Sequence, residues 1–146
     1  LCASIFDTEG NRITDNHIFV NRLCPVVKES DKGQQFICSL AHMNVANQAM
    51  QTRKPVIDEC DAGLVKLAVP IFISDQFIGV AGACGLVPEE GEVDPFLVSR
   101  TIDKYESEIE SLAENIGTIT EEQLDSLVNY ITEQITLMKF RNEPQN

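Results

Sequence analysis

Residues 65–84 read VKLAVPIFISDQFIGVAGAC, and this stretch decides the fold. Val65 to Ser74, around Pro70, and Phe77 to Cys84 are β-type runs rich in branched and aromatic side chains. The Ser74-Asp75-Gln76 turn between them has hairpin length. Val56 to Glu59 supplies a further strand just upstream. At the front of the chain, Cys2 to Phe6 alternates into the polar Asp7-Thr8-Glu9-Gly10-Asn11 turn and resumes at Arg12-Ile13-Thr14, which predicts a first hairpin.

The link from 14 to 56 is helical. Ile18, Phe19, Leu23, Val26 and Val27 fall at helical spacing between His17 and Lys28, with Pro25 shortening or kinking that helix and Asp31-Lys32-Gly33 ending it. Ser39 then reads as the N-cap of a helix through about Arg53, stopped by Lys54-Pro55. Downstream, Asp94-Pro95 opens a helix running to about Asn115. Gly117 breaks it, and Thr120-Glu121-Glu122-Gln123 has capping-box spacing for a last helix to about Phe140. The order predicts an α+β fold, an antiparallel sheet with a helical insertion on one face and long C-terminal helices, and by analogy with known folds this arrangement resembles that of PAS and GAF domains.

Composition narrows the function. A 146-residue chain with 43% hydrophobic content is one compact domain plus an appendage. Its formal charge of −12 repels phosphate backbones and anionic lipid alike, so neither nucleic acid nor membrane is an expected partner of this segment. Residues 101–146 carry 3 basic against 10 acidic side chains, making the end of the chain a solvated acidic stretch. No transmembrane-length apolar run and no signal-peptide pattern occurs in the sequence, and the start at Leu1 without a methionine suggests a piece of a longer protein. Five widely spaced cysteines without a CxxC pair favour a reducing, cytoplasmic setting over a disulfide framework.

Four of those cysteines, Cys24, Cys38, Cys60 and Cys84, fall on the helical insertion and the returning strands, around the space where such folds keep a pocket. They serve as small apolar core residues, as a soft metal or iron–sulfur set, or as ligand contacts. Cys38, just before the predicted cap Ser39, is the expected reactive thiol. His42 is a ligand, a hydrogen-bond donor to a bound molecule, or a satisfied helix residue. His17, in a polar turn, is expected to be exposed. Met43, Phe36, Phe72 and Phe77 are expected in the core or pocket wall, and Asp58 and Glu59 as solvated charges. A Cys38, His42 and Asp61 catalytic set can be drawn, but no oxyanion-loop signature accompanies it.

Lys54-Pro-Val-Ile-Asp-Glu-Cys60-Asp-Ala-Gly63-Leu-Val-Lys-Leu-Ala-Val-Pro70-Ile, followed by Gln76-Phe-Ile-Gly79 and Gly85-Leu86-Val87, resembles the PocR-type sensory domain. The resemblance extends to Leu23-Cys24, to Cys38-Ser-Leu-Ala-His42 and to Gly117 through Leu124. Asp61, where many members have histidine, and Leu86, where glutamine is common, depart from the pattern, so the diol-like ligands of relatives are not carried over. The resemblance implies a PAS/GAF-related input domain of a bacterial signalling or transcription-regulatory protein, binding a small molecule, with no catalytic activity. The expected ligand-binding residues are Cys38, His42, Cys60, Asp61, Cys84 and Phe72. The alternative is a redox sensor with zinc or an iron–sulfur cluster on Cys24, Cys38, Cys60 and Cys84, with Cys2 outside or at the edge; a small thiol enzyme is the third reading.

The expected division is a sensory domain over 1–118 and a C-terminal signalling and dimerisation helix over 119–146 in the same module. Leu124, Val128, Ile131, Ile135 and Met138, with Leu127 alongside, give the spacing of a short coiled-coil seam for a homodimer; folding back over the sheet is the other use of that stripe.

Overall fold

A computed structural model describes residues 1–15 and 18–142; the expectation for His17 lies outside the described residues. Strands β1 (Cys2–Phe6), β2 (Val56–Glu59), β3 (Val65–Ile73) and β4 (Gln76–Cys84) form one antiparallel sheet in the order β1-β4-β3-β2. The β3–β4 hairpin closes through Ser74 and Asp75, both at positive φ (49° and 63°), the geometry of a tight two-residue hairpin turn. The predicted hairpin between 2–6 and 12–14 shrinks to a single bridge, Phe6 to Arg12. Its ladder is cut short because the Ile5 amide donates to Thr14 Oγ1 (3.3 Å) rather than to a backbone carbonyl.

Between β1 and β2 come α1 (Leu23–Glu29) and a second helical run. In α1, Pro25 sits in the first turn, where its missing N–H costs nothing. Asp31-Lys32-Gly33 does not end a helix but opens one. Ser30 caps it, its Oγ accepting the Gly33 amide at 3.2 Å, and α2 (Asp31–Gly33) runs on through a π-helical segment (Gln34–Ser39) into α3 (Leu40–Thr52). The buried positions Gly33, Ile37, Ala41, Val45 and Ala49 recur every four residues. In a pure α-helix that stripe drifts about 40° per step, and the wider π turn takes back part of the drift. Gly33 lets this helix touch α1: a Cβ there would lie 2.2 Å from the Val27 carbonyl oxygen.

Two short parallel strands, β5 (Val87–Pro88) and β6 (Thr118–Ile119), bracket the next helices. The single helix predicted from Pro95 to Asn115 is two, α4 (Pro95–Ile102) and α5 (Glu106–Ala113), because Asp103 turns to φ 61° and ends the first. Asp94 caps α4 as its sequence indicates, Oδ1 accepting the Leu97 amide at 3.0 Å. The capping box before α6 (Glu121–Asn142) also forms, with reciprocal Thr120 and Gln123 bonds of 3.0 Å.

Helices flank both sheet faces. Phe6, Ala68 and Val80 pack beneath Val45 and Ala49 of α3. On the reverse face, Val65, Leu67, Val69 and Ala83 pack with Leu124, Leu127, Val128, Ile131 and Ile135 of α6. The apolar stripe offered for a coiled-coil seam is therefore used against the sheet, apart from Met138, which is 55% exposed. A third cluster, Leu23, Val27, Ile37, Ala62, Val98, Ile102 and Ile109, joins α1 and the π segment to α4 and α5. This is an α+β architecture consistent with the PAS/GAF-like arrangement read from the sequence. Among the described residues, no helix is long and apolar enough to cross a membrane.

Candidate functional site

Three rows of residues cross β3, β4 and β1 on the α3 side of the sheet. They are Lys66, Cys84 and Cys2; then Ala68, Gly82 and Ser4; then Pro70, Val80 and Phe6. The first row opens into a recess of ≈ 40 Å³ lined by Leu23, Val27, Ile37 and all five cysteines. One water needs about 10–15 Å³ of such space, so the recess holds roughly three water-sized groups. Cys2, Lys28, Cys38, Lys66 and Cys84 also border a second, polar cleft of ≈ 480 Å³ that takes in Ser4, Phe6, Glu9, Arg12 and His42. Recess and cleft thus share a wall.

Local chemistry sets each wall. Asn21 anchors the start of α1: its Oδ1 accepts the Cys24 amide (2.7 Å), while its Nδ2 donates to the Gly85 carbonyl (2.7 Å) and to Cys24 Sγ (3.3 Å). The Asp7 carboxylate closes the turn after β1, Oδ1 accepting the Asn11 and Glu9 amides at 2.9 Å each. Those bonds, led by Asn11, hold its carboxyl below the usual range. The turn carries Arg12 over the Phe6 ring, 5.6 Å from the centroid. Lys66 Nζ lies 5.4 Å from the same ring, and the His42 ring 4.1 Å from it, tilted by 39°.

Burial dominates the ionisation of His42 and of Cys2, Cys24, Cys38 and Cys60. The His42 imidazole falls from its usual 6.5 to about 4 because it is desolvated and faces Lys66, Lys28 and Arg12, so it is neutral at pH 7. Burial pushes the Cys24 thiol up to about 12 and raises Cys2, Cys38 and Cys60 as well. Cys38 is thus not an activated thiol. It lies inside a continuous helical run, with Ser39 in helical geometry (φ −67°, ψ −39°) rather than at a cap, and burial outweighs the nearby Lys28 and Lys66 charges. Burial thus disfavours the thiolate that a thiol enzyme built on Cys38 would use.

The His42 shift has a stability consequence. Between about pH 4 and 6.5 the unfolded chain binds the imidazole proton and the folded chain does not, so this group's stabilisation is complete above pH 6.5 and is lost as pH falls toward 4. Acidifying from pH 7 to 5 should cost roughly 1–2 kcal/mol, a Tm drop of about 3–7 °C. His42→Phe, which keeps a ring against Phe6, should flatten that part of the profile. An equal drop in the variant would assign the acid sensitivity to other groups.

The recess brings Cys24, Cys38, Cys60 and Cys84 into one lining and seats Cys2 there too, whereas His42 borders only the adjoining cleft, with Cys2, Cys38 and Cys84. Two expected ligand residues fall elsewhere. Asp61 is exposed on the turn after β2, and Phe72 lies at the far end of β3, against Phe77 (5.5 Å between centroids) and beneath the Arg53 guanidinium (4.1 Å). Phe36 and Met43 are about half exposed instead of core, although Met43 reaches the cleft wall. Among the described residues no three His, Cys, Asp or Glu side chains are arranged to hold a metal ion.

Ser4, Arg12, Asn21, Lys28 and Lys66 were not singled out from the sequence. One signal was present: a lysine in the otherwise apolar run Val65–Ile73, which is buried on both faces over its first half. A family model for the sensory domain found in PocR matches residues 1–141. No curated protein and no solved structure matches the chain.

Proposed function

Because the chain belongs to the family of sensory domains found in PocR, we propose that it is the input module of a bacterial signal-transduction or transcription-regulatory protein. In this reading it senses a small molecule held between the sheet and the helical segment 23–52. The observation that carries it is a set of buried polar atoms at the cleft, Ser4 Oγ and both ring nitrogens of His42, with no hydrogen-bond partner. Buried polar groups are nearly always satisfied, and a ligand that occupies the cleft would satisfy these. The cleft lies within the range of small-molecule sites, and the recess adds an apolar end.

Output would run through α6. Its apolar stripe rests on Leu67 and Val69, whose neighbours Lys66 and Ala68 face the helical insertion, so movement of β3 on binding is felt at both faces. A homodimer through this helix would have to use what the sheet leaves exposed, whose large apolar side chains are Tyr130, Leu137, Met138 and Phe140.

A thermal-shift screen of small organic molecules, followed by NMR mapping of hits, tests the site. The expected result is a hit whose perturbed amides cluster at Ser4, Cys38, His42 and Cys84. Hits confined to the α6 face would sink the assignment. A second reading, a thiol-based metal or redox sensor, is favoured by the lining of one recess by all five cysteines. Anaerobic purification with metal and sulfide analysis separates the two, since stoichiometric zinc or iron would support only the second.

A further inference from the structure

We infer that the cleft takes a short organic carboxylate, with its anionic end against Lys66, Lys28 and Arg12 and its aliphatic end in the cysteine-lined recess. The inference rests on the sensory reading above and names its ligand class.

Charge placement is the first ground. The chain carries 11 basic against 23 acidic side chains, yet Arg12, Lys28 and Lys66 border one cleft whose lining includes a single carboxylate, Glu9. Lys66 is only 8% exposed, and neither ion pair among the described residues involves it. The acid opposite it in register, Asp58 on β2, instead accepts the Glu59 amide on Oδ1 at 2.8 Å. The Lys66 ammonium lies over the aromatic face of Phe6 with no carboxylate partner among the described residues, and an anion in the cleft would supply one.

Hydrogen-bond capacity is the second. Ser4 and His42 are each 6% exposed beside these cations, and their side-chain polar atoms have no partner. A neutral imidazole offers one N–H and a serine one O–H. Cations and donors therefore converge on a space to which the protein contributes one carboxylate, Glu9, and a bound carboxylate brings two more acceptor oxygens.

The recess decides what the anion carries. Leu23, Val27 and Ile37 wall it together with thiols that burial keeps protonated, and its ≈ 40 Å³ suits a tail of about three carbon atoms. An inorganic anion would leave it unfilled, and a long-chain acid would exceed it.

Calorimetric titration and thermal shift on the intact chain test this with butanoate, its neutral isosteres butanamide and butan-1-ol, and inorganic phosphate. Butanoate should bind and raise Tm, with the neutral isosteres at least 10-fold weaker and phosphate weaker than butanoate. Lys66→Met should weaken butanoate roughly 30-fold or more while leaving the Tm of the unliganded protein equal or higher, because it removes a buried charge. Arg12→Gln, at an exposed position, should weaken it about 5-fold. Equal binding of the alcohol, undiminished binding by Lys66→Met, phosphate matching butanoate, or no response to butanoate would each overturn the carboxylate. Neutral compounds that bind at the cleft while the acids stay silent would overturn it and leave small-molecule sensing standing. Ligands that bind only outside the cleft would remove the sensory site itself.

Discussion

Replacing Ile131 and Ile135 together by aspartate should lower Tm by about 10–15 °C, whatever the oligomeric state of the protein. Both side chains pack on the sheet through the cluster that holds Val65, Leu67 and Val69. Each is half-buried, so losing its apolar contact costs roughly 1 kcal/mol. Placing a carboxylate against an apolar strand with no partner adds about 1 kcal/mol or more at each site. The sum, on the order of 3–5 kcal/mol, is a large share of the 5–15 kcal/mol that holds a typical domain together. Calorimetry checks the drop, and size-exclusion chromatography with light scattering checks association. A variant that turned from dimer to monomer at unchanged Tm would put the stripe at a contact between copies instead of on the sheet.

Gly63→Ala should cost about 3 kcal/mol or more. Gly63 holds φ at 92°, a region that strains any residue with a Cβ, and that Cβ would lie 2.2 Å from the Glu92 carbonyl oxygen. The turn cannot simply move away. The Gly63 amide donates to Cys60 (2.9 Å), the Cys60 amide to Leu64 (2.8 Å), and the Asp94 amide reaches back to Ala62 (3.0 Å) just where α4 is capped. A shift there would drag Cys60 out of the recess and loosen α4 together. Chemical denaturation should find the lost stability, and amide shifts should spread from Cys60 to Leu97. A fully stable alanine variant would mean that the 60–64 turn relaxes independently of the 92–94 segment.

Much of the fold was legible because it is written in short-range chemistry. The Thr120 and Gln123 capping box, the Asp94-Pro95 helix start and the Ser74-Asp75 hairpin each depend on residues within four positions of one another. The helix break at Asp103 was missed because no glycine or proline marks it; an aspartate adopts the left-handed conformation there. The role of α6 was open because one apolar stripe serves a partner helix or a sheet equally well. The cysteine lining was readable in outline, since the ends of β1, β2 and β4 and the start of α1 meet at one rim, whereas Cys38 joins them from inside a continuous helical run. The basic cleft was not. Arg12, Lys28 and Lys66 lie 16 and 38 residues apart, and it takes the pairing of β1 with β4 and of β4 with β3, together with the Asn21–Gly85 bond that seats α1 at the end of β4, to bring them to one cleft.

The two-faced character of β3 separates two evolutionary tasks by parity. Even-numbered positions 66 and 68 look toward the helical insertion, and odd-numbered positions 65, 67 and 69 look toward the C-terminal helix. A lineage could retune what the cleft accepts by changing even positions while the odd ones keep the helix seated, and the reverse. The irregularity between Ile71 and Phe72 ends that independence. Beyond it a single inserted or deleted residue would exchange the two alphabets, so length changes in this strand should be far rarer among viable descendants than substitutions.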